Sequence, residues 1–182
     1  MATRAQIIIP IAAAAFIVGI VGVLNIPSDA KLESVEFPMG TIKLDGEILQ
    51  VQIAHNDSLR MRGLMFQEEL PYDQGMLFVF DNPGNRPMWM LNMQFPIDII
   101  WFDVSGDVTN IEKNVPPCLT TIEVVTCREN GVSGDSAKYV LEVTAGFVDK
   151  FNISDQSIIE FISICVITLT MPFLIHICIQ KI

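Results

Sequence analysis

The sequence predicts a mainly β protein: a compact antiparallel β-sandwich or barrel of about eight strands, with one or two short helices and terminal transmembrane segments. Three observations predict it. Hydrophobic residues make up 51% of the 182-residue chain and charged ones only 18%, too apolar a balance for an ordinary soluble domain. All 21 acidic residues, and all 11 basic ones except Arg4 and Lys181, lie between Asp29 and Glu160, so the apolar surplus belongs to the two ends. Between those ends, short apolar runs alternate with turn pairs, as strands do. The same composition excludes a disordered chain and a collagen-like repeat. An acidic middle also excludes a nucleic-acid binder, which needs a basic face.

In chain order, residues 1–6 read as a cytoplasmic N-terminus and 7–26 as a transmembrane anchor. Ile7 to Leu24 is an uncharged run of 18 residues, about 27 Å as a helix against a hydrocarbon core of about 30 Å. Pro10 falls in its first turn and Pro27 closes it. The competing reading is a signal peptide cut before Lys31, but the run is longer than the 7 to 15 residues of such a core. Arg4 places the N-terminus in the cytoplasm and residues 27–162 outside it, with the lipid membrane as a partner.

Within that extracytoplasmic domain, TIKLDGEILQVQI forms a hairpin around Asp45-Gly46, and IIWFDVSGDVTNI a second around Ser105-Gly106. Met76 to Phe80, Met88 to Leu91, Ala137 to Val143 and Ser157 to Phe161 complete the strands. Ser58 to Met65 has helical spacing after Asp57 as N-cap, and Ala145 to Phe151 suits a second short helix. Residues 163–180 read as a second transmembrane segment, with Lys181 returning to the cytoplasm, or as an apolar tail. The β-branched residues of SIIEFISICVIT also fit a strand.

Several short blocks follow one another in order: Arg62-Gly63-Leu64-Met65, Leu70-Pro71, Gly75-Met76-Leu77-Phe78, Trp89-Met90, Asn92, Pro96-Ile97-Asp98-Ile99, Pro117-Cys118, Tyr139-Val140-Leu141-Glu142 and Ala145-Gly146. From Gln50 to Phe161 the chain thereby resembles the uncharacterised family catalogued as domain of unknown function 192. The resemblance implies a compact β-rich domain, often exported behind an N-terminal hydrophobic segment, and implies no reaction. Met93 stands where the family pattern has threonine, and the apolar extension after Ile162 lies outside that pattern.

Chemistry is sparse. There is no Ser/His/Asp order, HExxH, phosphate loop or calcium register, and no cofactor is expected. Glu68-Glu69 and Asp103 with Asp107 read as solvated turn surface. Polar residues set in apolar sequence are the binding candidates: Arg62, Arg86, Trp89, Asn92 and Asp98, with Arg60 beside them. As a pocket, Trp89 is an apolar wall and an arginine forks a small anionic ligand. As a structural device, Arg62 pairs with Asp98 while Asn92 bonds loop backbone.

Cys118 and Cys127 suit a disulfide outside the cell, with a reactive thiol pair or a metal as alternatives; Cys165 and Cys178 read as buried thiols. Six methionines fall between Met61 and Met93. Core filling is their better account, and a Cu(I) site at Met88, Met90 and Met93 requires three sulfurs to converge. Asn56 and Asn152 head glycosylation triplets. The expected function is a membrane-anchored binding or accessory module. The alternatives are an enzyme using an Arg/Asn/Asp pocket, a copper-handling protein, and a structural partner of other envelope proteins.

Overall fold

The computed structural model describes residues 36–118, 131–170 and 173–180, with side chains as far as 163. The proposed anchor at 7–26 and Cys127 lie outside the described residues. Eight strands form one sheet: β1 (Met39–Leu44), β2 (Glu47–Ala54), β3 (Gln74–Met88), β4 (Ile97–Phe102), β5 (Val108–Val115), β6 (Val132–Thr144), β7 (Ile159–Thr170) and β8 (Phe173–Gln180). Two short helices accompany them, α1 (Asp57–Arg62) and α2 (Phe147–Lys150). The spatial order is β5-β4-β6-β3-β2-β1-β7-β8.

Both expected hairpins form. Asp45 and Gly46 have φ of 49° and 103°, so both turn residues are left-handed, as a two-residue turn matching strand twist requires. At the second, Asp103 Oδ1 accepts from the amides of Ser105, Gly106 and Asp107 at 2.8, 3.0 and 3.1 Å. Asp103 is thus the clasp of its turn rather than merely solvated.

Three expectations about the fold are corrected. The sheet is not wholly antiparallel: β2 and β3 run parallel, Val51 opposite Gly75 and Ala54 opposite Phe78. The long connection from Ala54 to Gln74, which carries α1, crosses over the sheet as a parallel pairing demands. Nor is it two packed layers; it is one sheet curled on itself. The turn between β4 and β5 meets the start of β7 where Ile159 N donates to Gly106 O at 2.9 Å and Asp107 bridges Ile158. Of Met88 to Leu91, only Met88 belongs to a strand.

The C-terminal segment is also not helical where described. β7 and β8 form an antiparallel hairpin that places Cys165 opposite Cys178, in agreement with the strand-like reading of SIIEFISICVIT. No described helix is long and apolar enough to cross a membrane.

Alternation along the strands buries both faces. On the inner face, Ile42, Val51, Leu77, Ile100 and Leu141 pack with Phe147 and Val148 of α2, and residues of β5, at one end of the sheet, and of β7, next to the other end, join the same cluster. On the outer face, Met76, Phe78, Ile97, Ile99, Trp101 and Val140 lie beneath α1 and the segment after β3. Gly134 is what lets Trp101 lie flat there: a Cβ at that position would stand 2.4 Å from Trp101 Cγ. The indole Nε1 then donates to Arg86 O at 2.8 Å.

Candidate functional site

The outer face carries the site, and α1 forms one bank of it. Asn56, one residue before the expected cap Asp57, is the N-cap, its Oδ1 accepting from Leu59 N at 2.9 Å. Asn56 has the extended backbone that a cap needs, while Asp57 is already in the first turn, where a negative charge meets the helix dipole. Gly63, at φ 48°, ends the helix and lets the chain turn back over Phe78.

Arg60 ties the helix to the sheet. Its guanidinium donates to His55 O at 2.9 Å, Val79 O at 2.8 Å and Asp57 Oδ1 at 2.6 Å. Arg60 and Arg86 both lie over the Phe80 ring, at 5.2 and 4.1 Å from its centroid. Arg86 also donates to the carbonyls of Ala137 and Asn82.

Between α1 and the end of β3 lies an open groove of about 430 Å³, walled by Arg60 and Met61 on one side and Phe78, Phe80, Met88 and Trp89 on the other. It adjoins a much smaller void of about 20 Å³ that shares five of its lining residues and reaches Met65, Met93 and Glu142. That void holds roughly one water.

Glu142 is the residue that the sequence reading missed. It sits in β6, opposite Met76 of β3 and Ile99 of β4, and is only 3% exposed. Its Oε2 is buried with no hydrogen-bond partner. Burial away from water raises its pKa from 4.5 to about 8, so the carboxyl is mostly neutral at pH 7. Glu142 stands on the Val140 side of its strand, the outer-face side. The one available signal was a charged residue inside the apolar run YVLEV. His55 Nδ1 is the other buried polar side-chain atom without a partner among the described residues.

The five predicted binding residues do not form one site. Asp98 is fully buried and faces the opposite side of β4 from Ile97 and Ile99, toward α2. Its Oδ1 accepts from Asn114 N at 2.8 Å and its Oδ2 from Val148 N at 2.9 Å. Asp98 therefore caps α2 from a neighbouring strand, in place of the expected pair with Arg62. Gly146, the N-cap of α2, has no side chain for that task. Arg62 lies over Phe66 at 4.9 Å and has no carboxylate partner among the described residues.

Asn92 has φ 56°; its carbonyl accepts from Phe66 N at 3.0 Å and its side-chain amide reaches Met65 Sδ at 3.9 Å. Arg62 and Trp89 line the void, Trp89 lines the groove as well, and Arg86 braces Phe80 nearby. Met88 and Met93 reach the void, whereas Met90 is core, 4% exposed and absent from its lining. Glu68 and Glu69 are exposed, as expected.

One curled sheet with a single parallel crossover, and an apolar groove over a buried acid, define a small single-sheet β domain. The chain belongs to the family DUF192, described as Uncharacterized ACR, whose pattern matches residues 40–161. Two solved structures share the fold. A protein from Sinorhizobium meliloti 1021, titled as a proposed transcription regulator, is 28% identical, with a TM-score of 0.61 over 70% of this chain and 97% of that one. A protein of unknown function from Novosphingobium aromaticivorans DSM 12444 is 23% identical, with a TM-score of 0.62 over 70% of this chain and 89% of that one. No curated protein matches the sequence.

Proposed function

We propose that the protein is a binding module held at a membrane by residues 7–26, with its β domain on the extracytoplasmic side, and that it takes its ligand into the groove beside α1. The observation that carries this reading is Glu142 Oε2, buried without a partner at the inner end of an apolar opening. Such a group costs folding stability, and its place makes physical sense where a ligand supplies the missing partner. The walls are aromatic rings and thioethers, which accommodate apolar groups of varied shape. A raised carboxyl is also what acid catalysis uses, but no serine, cysteine or histidine lines the void or the groove beside it.

The test is native mass spectrometry of the full chain purified in detergent from its own host. Met61→Arg projects a long cation from a position that is 69% exposed, so it blocks the groove without disturbing the core. The expected result is a co-purifying mass on the wild type and on Asp98→Asn, which alters the other face, and its loss from Met61→Arg. An empty wild type, or a mass retained by Met61→Arg, refutes the reading.

A further inference from the structure

We propose that the small void at the inner end of the groove is a thioether site for a soft monovalent cation, Cu(I) or Ag(I), held by Met61, Met65, Met88 and Met93. The proposal rests on the binding reading above and names its ligand class. Methionine is frequent in cores, but these four come from three separate places and meet at one opening: Met61 on α1, Met65 just past its Gly63 stop, Met88 at the end of β3, and Met93 in the following turn. Met61 is 69% exposed, which core filling does not explain. Three thioethers suffice for a soft d¹⁰ cation and four of the lining residues carry one, while a space of about 20 Å³ suits an ion better than an organic molecule.

The independent observation is Glu142. Its buried carboxyl lines the same void, and Oε2, which no group of the domain engages, is an oxygen that a bound cation can take. Hard cations are disfavoured: among the described residues no group of three His, Cys, Asp or Glu is placed to hold a metal. Arg60 and Arg62 also line the void; Arg60 is paired with Asp57 and bonded to two carbonyls, and the Arg62 guanidinium lies over the Phe66 ring.

The test uses the full chain in detergent micelles, labelled with ¹³C at the methionine methyls, and Ag(I) as a redox-inert probe. Cys165→Ser and Cys178→Ser take the two tail cysteines out of the competition for silver. One equivalent should shift the methyl signals of at least three of Met61, Met65, Met88 and Met93 and leave Met39 unmoved. In competition with a chromophoric Cu(I) chelator, Met88→Leu combined with Met93→Leu should weaken binding by about a hundredfold. Because Met to Leu conserves volume, the fold should survive; Met61→Leu at its exposed position gives a second, folding-neutral readout with a smaller loss. Unmoved throat methyls, or unchanged Cu(I) affinity in the leucine variants, overturn the proposal. If an organic ligand shifts these same methyls while Ag(I) does not, the metal is refuted and the binding reading stands.

Discussion

Glu142→Gln should stabilise the protein, and by an amount that depends on pH in a way only this carboxyl explains. The side chain is buried, its Oε2 is unpartnered, and desolvation lifts its pKa from 4.5 to about 8. A raised carboxylate pKa means that the folded state holds a proton which the unfolded chain has released. Stability is therefore complete below about pH 4.5, falls as pH rises, and levels off above about pH 8. In that window the slope approaches about 1.4 kcal/mol per pH unit, so the accumulated penalty at pH 7 is on the order of 3 kcal/mol. Glutamine keeps the shape and carries no such term.

Chemical denaturation of the ligand-free full chain at pH 4.5, 6, 7 and 8 measures the difference. Wild type and Glu142→Gln should lie close together at pH 4.5, with the variant ahead by about 2 to 4 kcal/mol at pH 7. A difference that stays constant between pH 4.5 and pH 8 refutes the assignment of Glu142 as a desolvated, unpartnered acid.

Asp98→Asn should cost about 2 to 4 kcal/mol, because an amide accepts one of the two backbone N–H bonds and confronts the other with its own donors; hydrogen exchange should show α2 opening first, with groove ligands unaffected. Gly134→Ala forces Trp101 off its seat and should lower stability by about 1 to 3 kcal/mol, with loss of the indole signal in near-ultraviolet circular dichroism; an unchanged spectrum refutes the contact. Trp89→Ala, at a residue 36% exposed, should change stability by less than about 1 kcal/mol while weakening any ligand of the groove at least tenfold in a direct binding titration.

Local signals in the sequence sufficed wherever a short-range rule decides the structure. Asp45-Gly46 gives its hairpin because both residues take the left-handed turn conformation, and the Ser105-Gly106 turn has a left-handed Gly106 and the Asp103 side chain accepting from its amides. The parallel β2–β3 pair was not legible in the same way, since alternation within a strand reveals its face and not its partner. The length of chain from Ala54 to Gln74 was the available hint, too long for a hairpin and long enough for a crossover. Trp89 to Leu91 misled for a related reason. An apolar run reads as a strand whether its burial comes from pairing in a sheet or from lying over one, and here Met90 is buried over the outer face.

The site divides along a similar line. A charge embedded in apolar sequence must be paired or used, but sequence does not say which. Asp98 is paired: two backbone amides take both its oxygens, and α2 is positioned as a result. Glu142, set in an equally apolar strand, has no partner for Oε2 and opens on four methionines instead. The two acids stand on neighbouring strands, Glu142 beside Ile99 and Asp98 beside Val143, so one residue of register separates them and alternation sends them to opposite faces. The inner face closes on its acid with the domain's own amides, and the outer face leaves Glu142 Oε2 without a partner. A partner for Oε2 on the outer side should therefore add stability. A bound ligand that draws on Glu142 must raise the unfolding free energy of the wild type more than that of Glu142→Gln, and equal stabilisation of both separates the carboxyl from the ligand.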